Sequence, residues 1–165
     1  METAEVGAVV SLLNVIDNPR QDVDLIGVLR SPLFGFTEQE LADIRLTDRK
    51  ASYYDALIQS RGAFPKVEVF LQRLDFLRGF ACDQPVYRLL WEIYDQTGAL
   101  GLYGALPNGA QRQANLLAFF ERARASRGRA SAVCSRSCAC CAACRKRART
   151  SRRLAQRRRA ARCAS

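Results

Sequence analysis

Apolar residues recur at three- and four-residue intervals along most of the first 125 positions. In "AEVGAVVSLLNVID" they are Val6, Val9, Val10, Leu13 and Ile16, the spacing of one helix face. Asn18-Pro19 ends that helix, because the residue before a proline avoids helical backbone angles. "QDVDLIGVLR" predicts a second helix, with Asp22 and Asp24 near the N-terminus where the helix dipole favours them. "SPLFGF" interrupts the pattern. "TEQELADIRL" restarts it, and Thr37 and Glu40 have the spacing of a capping box. "ASYYDALIQS" predicts a short helix. "PKVEVFLQRLDFLRGFA" gathers Val67, Phe70, Leu71, Leu74, Phe76 and Leu77 largely on one side. Pro85 suits the first turn of "PVYRLLWEIYDQTG" and Gly98 suits its stop. "LYGALPNG" reads as a loop, and "NGAQRQANLLAFFERARA" as a last long helix anchored by Leu116, Leu117 and Phe120. No segment alternates in the manner of a strand and no repeat period emerges. The predicted fold class is all-α.

Charge divides the chain at a definite point. Residues 1–125 carry 13 Lys and Arg against 16 Asp and Glu, a net charge of −3. Residues 126–165 carry the other 13 Lys and Arg with no acid, a net charge of +13. The expected organisation is a helical body over 1–125 and a basic, disordered tail over 126–165. Cysteine follows the same division: Cys82 alone lies in the body, and Cys134, Cys138, Cys140, Cys141, Cys144 and Cys163 lie in the tail. Cys82 among apolar neighbours reads as a small buried hydrophobe. With no signal segment and no membrane-length apolar run, the body reads as soluble, reduced and cytoplasmic.

The chain contains no histidine, which removes most hydrolytic triads and most zinc catalysis. It also lacks a phosphate-binding G-x-x-x-x-G-K-[ST] loop and a dinucleotide G-x-G-x-x-G turn. Asp17, Asp22 and Asp24, like Glu38, Glu40 and Asp43, read as helix-terminal or solvated acids rather than a catalytic pair. The stretch "RSPLFGFTEQEL" is richer, and two readings of it stand. Backbone amides near Gly35, Phe36 and Thr37, at a helix N-terminus, suit a phosphate oxygen, with Arg30 adding a charged contact. Equally, Gly35 permits a turn, Phe34 and Phe36 staple it to the core, and Thr37 caps the next helix.

"LLNVIDNPRQDVDLIGVLRSPLFGFTEQELADIR" resembles a stretch of the AddA-type subunit of bacterial ATP-dependent helicase–nucleases, within the UvrD/Rep helicase superfamily. "FLQRLDFLRGFACDQPVYRLLWEIYDQTG" and "LPNGAQRQANLLAFFERA" resemble the same subunit, in the same order, so the resemblance covers about residues 2–125. It implies a piece of the helical accessory subdomain of a 3′-to-5′ DNA helicase and exonuclease that prepares broken ends for recombinational repair. It implies ATP and Mg for the whole subunit, neither held by this chain, and no catalytic or metal-binding residue here. The partners it implies are DNA, the remainder of the motor and a second helicase/nuclease subunit, with no membrane. A turn with a proline and two glycines touches duplex DNA in related helicases. That role carries over to Ser31, Pro32, Gly35, Phe36 and Thr37, with Arg30 beside them; Phe36 stands where the family has its second glycine. Because "ETAEV" continues a family pattern, the chain is expected to start within a longer protein.

The tail "CSRSCACCAACRKRARTSRRLAQRRRAARCAS" admits several readings. Cys141 and Cys144, with Cys138 or Cys134, are thiolates of the kind that hold zinc, and thirteen cations would neutralise nucleic-acid phosphates. A stand-alone helical interaction module with a zinc- or nucleic-acid-binding tail is thus the alternative. The codons suggest another origin. A cysteine codon read one base earlier always becomes NTG, which spells Leu, Met or Val. Cys134, Cys138, Cys141 and Cys144 lie four, three and three apart, so the neighbouring frame spells an apolar helical stripe. One choice of synonymous codons reads residues 129–155 as "AGFRGLFPQLRLLRRLPEEGEDFAPAR", which resembles what the family carries after its "QRQANL" helix. A frameshift near Ser126 accounts for both the cysteines and the missing acids.

Overall fold

The computed structural model describes residues 3–82 and 84–126. The tail readings, zinc, nucleic acid and frameshift alike, fall on residues 127–165 and lie outside the described residues. Among those described there are eight helices and no strand, so the all-α expectation holds. They are α1 (Ala4–Asp17), α2 (Asp22–Arg30), α3 (Glu38–Thr47), α4 (Tyr53–Gln59), α5 (Pro65–Ala81), α6 (Val86–Thr97), α7 (Ala99–Gly104) and α8 (Gly109–Ala125).

Local chemistry sets most boundaries. Asn18 is extended before Pro19 and ends α1. Thr37 and Glu40 form the reciprocal capping box that opens α3, and Ser52 accepts from the Asp55 amide to open α4. Gly98, at φ 63°, stops α6 in the left-handed conformation that glycine takes without steric cost. Pro85 stands just before the first turn of α6, with its carbonyl accepting from Arg88 and Leu89.

α1 is the element to which both halves of the body attach. It packs against α2, α5 and α8. Val9, Leu12 and Val15 of α1 share a core with Leu25, Val28 and Leu29 of α2 and with Phe70, Leu71, Leu74 and Leu77 of α5. Leu90 and Ile93 of α6 and Leu116 of α8 continue it. Each such side chain contributes roughly 1.5–3 kcal/mol on burial.

Several expectations need correcting. The buried face of α1 is Glu5, Val9, Leu12, Val15 and Ile16, rotated from the predicted one, because α1 packs against α2, α5 and α8. Phe76 and Leu117 are exposed, at 51% and 44%, so the stripes on α5 and α8 are narrower than their apolar content suggests. The expected loop "LYGALPNG" begins inside α7, which Gly98 starts afresh and which buries Ala99 and Tyr103. Cys82 is half-buried at the end of α5 rather than fully in the core.

Candidate functional site

The turn between α2 and α3 is held from within. The Ser31 amide donates to Gly27 and Val28 carbonyls at 3.1 Å each, and its hydroxyl donates to the Val28 carbonyl at 2.6 Å. The Ser31 carbonyl accepts from Phe34 at 3.2 Å and Gly35 at 2.9 Å. Gly35 has φ 61°, a conformation that costs other residues energy. Phe36 donates its amide to the Leu29 carbonyl at 3.0 Å and buries its ring. Phe34 meets Phe70 edge-on, with ring centroids 4.9 Å apart.

These bonds change the chemistry open to the turn. The Gly35 and Phe36 amides are committed to Ser31 and Leu29, and the Thr37 amide donates to Glu40 Oε2 at 2.8 Å. An amide cradle built on those three donors is therefore already occupied by the protein itself. Ser31 and Phe36 are buried. Of the six residues singled out from the sequence, Arg30, Pro32, Gly35 and Thr37 stand at the surface.

Arg30 Nη2 donates to Glu38 Oε1 at 2.6 Å, and both side chains are mostly exposed. Such a pair is weakly held and screened by salt, so a phosphate oxygen can take the place of Glu38. Lys66, from the start of α5, was not singled out from the sequence. Its Nζ donates to the Gly35 carbonyl at 3.1 Å and the Glu40 carboxylate at 3.0 Å, and it lies 5.7 Å from the Phe36 ring centroid. The Thr37 amide and then Lys66 hold the Glu40 carboxyl below its ordinary range. No local signal in "FPKVE" points to this contact, which only tertiary folding makes.

Beside the turn lies an open groove of about 480 Å³. Ala4, Ala8 and Ser11 of α1 and Gly27 of α2 line it with small side chains, together with Arg30 and Arg112. Tyr103 lines it too, and its buried hydroxyl has no hydrogen-bond partner among the described residues. Arg112 reaches Glu5 Oε2 at 3.1 Å, and Asn115 Nδ2 reaches Glu5 Oε1 at 2.7 Å. Burial works to raise the Glu5 carboxyl. Hydrogen bonds from Asn115 and the backbone, helped by the Arg112 charge, outweigh it and leave the group below its ordinary value. Gln113 donates to the Leu100 carbonyl at 2.9 Å, and Leu116 is buried with its carbonyl accepting from Tyr94 at 2.9 Å. The "QRQANL" motif thus acts as a structural clasp. Among the described residues there is no cluster of three or more His, Cys, Asp or Glu side chains. Among them, no helix is long and apolar enough to cross a membrane.

The class these features define is a helical segment with an exposed arginine turn. Its relatives make the class specific. The chain is 47% identical over 128 residues to the AddA-type ATP-dependent helicase/nuclease subunit of Acetivibrio thermocellus. It is 45% identical over 133 residues to the corresponding helicase/nuclease subunit of Geobacillus kaustophilus, and 41% over 133 residues to that of Clostridium novyi. Each match takes in 74% of this chain, which spans only about a tenth of those relatives' length (10%, 11% and 11%). No protein-family model matches. Over 74% of its length the chain is similar to an internal stretch of AddA-type helicase/nuclease subunits, as the sequence resemblance implied.

Proposed function

We propose that this chain is a non-catalytic, DNA-facing piece of the accessory subdomain of an ATP-dependent DNA helicase and exonuclease acting in recombinational repair of double-strand breaks. The turn from Arg30 to Thr37 touches duplex DNA: Arg30 exchanges Glu38 for a backbone phosphate, and Pro32, Gly35 and Thr37 set the surface it approaches. Ser31 and Phe36 fix the turn from below. ATP and Mg act in the remainder of the protein, and a second helicase/nuclease subunit completes the assembly. The observation that carries the reading is an exposed Arg30 on a turn held by its own hydrogen bonds.

A local probe is needed, because thirteen tail cations bind any nucleic acid. A photo-crosslinking amino acid in place of Pro32, in the full chain, is expected to capture a duplex. Arg30→Glu should reduce that capture about tenfold, while capture from a probe at Gln59 stays at background. Equal capture from both probes, or none from Pro32, would overturn the proposal.

A further inference from the structure

The groove beside the turn carries chemistry that the turn does not use. Its volume of about 480 Å³ lies within the range of small-ligand sites, commonly about 300–1,000 Å³. Arg30, Arg112, Ser11 and Tyr103 line it, and no Asp or Glu among the described residues does. Arg112 is only partly engaged. Its Nε donates to the Pro107 carbonyl at 2.9 Å and its Nη1 to Glu5 Oε2 at 3.1 Å. Those bonds leave Nη2, on a side chain that is 30% exposed. Arg30 is held by the exposed Glu38, a pair that a stronger anion displaces. The planar guanidinium fork matches phosphate oxygens.

Tyr103 supplies an independent observation. The residue is 2% exposed, and its hydroxyl has no hydrogen-bond partner among the described residues. The other two buried tyrosines described, Tyr53 and Tyr94, donate to the Leu41 and Leu116 carbonyls at 2.9 Å each. Burial, and then the charge of Glu5, push the Tyr103 hydroxyl above its ordinary range, so it stays a neutral donor. A buried donor left unpaired is costly. Here it belongs to a residue of the groove wall that also carries two arginines.

We infer that the groove is a binding site for a terminal phosphate group, which Arg30 and Arg112 neutralise and to which the Tyr103 hydroxyl donates. A terminal phosphate carries about −1.5 to −2 at neutral pH, enough to engage both guanidinium groups. A carboxylate or an internal phosphodiester brings a single charge. The group is either a free phosphate compound or the phosphorylated end of a nucleic-acid strand, which present the same oxygens. The site shares Arg30 with the DNA-facing turn, whereas Arg112 and Tyr103 belong to the groove alone.

Phenylglyoxal reacts with arginine side chains, and peptide mass spectrometry reads Arg30 and Arg112 apart from the tail cations. In the full chain, inorganic pyrophosphate is expected to slow modification of both about threefold, saturably, while the exposed Arg61 is unchanged. A short duplex with 5′-phosphates that protects at lower concentration would make a strand end the source. Protection by pyrophosphate alone would make it a free phosphate compound. Tyr103→Phe should weaken the protection of Arg112 about fivefold and leave the unfolding midpoint unchanged, since that hydroxyl has no bond to lose. Ser11→Glu, which brings a carboxylate to the groove, should abolish protection. Full protection in Tyr103→Phe would overturn the inference, as would equal slowing at Arg61. So would protection of equal strength from poly-glutamate or from a duplex with hydroxyl ends, which would assign the groove to an acidic peptide or to internal phosphates. Protection of Arg30 without Arg112 would overturn it and leave the turn contact standing; loss of crosslinking from Pro32 with both arginines protected would do the reverse.

Discussion

The Glu5 carboxylate accepts a hydrogen bond from Asn115 at 2.7 Å, joining residues 110 positions apart in the sequence. Arg112 braces the same carboxylate from one turn earlier on α8. The first and last helices of the body are thereby closed on one another by a buried anion with hydrogen-bond donors on both oxygens.

Removing the charge should weaken that closure and change how it depends on pH. Glu5→Gln turns a donor group toward Arg112 and Asn115, and is expected to cost about 2–3 kcal/mol at neutral pH. The Glu5 carboxyl titrates below its ordinary 4.5 in the folded chain. Its contribution is therefore complete above that value and is lost as pH falls through the lower folded one. Denaturant titrations from about pH 6 down to about pH 3 should show a steeper acid loss in the wild type than in the variant.

Alkali should act through Tyr53. Burial pushes its hydroxyl up to about 12 from the ordinary 10.0, and the hydroxyl donates to the Leu41 carbonyl at 2.9 Å. A raised value in the folded chain means that the neutral form is favoured there. The stability it gives is whole below pH 10.0 and is lost as pH rises toward 12. Tyr53→Phe should lose about 1 kcal/mol at pH 7 and flatten the decline in that alkaline window, measured by thermal unfolding in a pH series.

Gly109 should not tolerate a side chain. A Cβ there would lie 1.9 Å from the Gly104 carbonyl oxygen, which is backbone and cannot swing away. Gly109→Ala is expected to cost more than about 2 kcal/mol by forcing α7 and α8 apart. Gly104→Ala meets only the flexible end of Gln113, at 2.2 Å, and should cost less, chiefly through the bond from Gln113 to the Leu100 carbonyl. Unfolding midpoints of the two variants should fall in that order.

The turn separates backbone effects from side-chain ones. Gly35→Ala meets open space but must hold φ 61°, for a cost of about 1 kcal/mol. Thr37→Ala removes the hydroxyl that accepts from the Glu40 amide at 3.2 Å, for a similar cost. Both should lower thermal stability by comparable amounts, and in the crosslinking assay Gly35→Ala should act on capture from Pro32 more than Thr37→Ala does.

Where a boundary depends on neighbours in sequence, the sequence was sufficient. Asn18-Pro19, Thr37 with Glu40, and Gly98 mark their helix ends through steric and hydrogen-bonding rules that act within a few residues. The faces were harder to read. α1 turns Glu5 and Leu12 inward because it packs against α2, α5 and α8, which no single stripe records. In the turn between α2 and α3, the positive φ of Gly35, the burial of Phe36 and the Thr37 cap agree with the reading of a stapled, capped turn, whereas the commitment of the Gly35 and Phe36 amides to Ser31 and Leu29 was not legible. Lys66 and Arg112 became part of the picture only through long-range contacts.

The tie between α1 and α8 also governs the order in which the body can be completed. A chain made from its N-terminus releases α1 first, yet Glu5 meets Arg112 and Asn115 only after α8 has been synthesised. Until then α1 can pair with α2 and α5, but its acidic end stays in water and the core under Leu116 stays open. Such late, non-local closure is slow relative to helix pairing. Growing chains of this segment therefore pass through a stage with a half-built core, dependent on the last helix to finish the first.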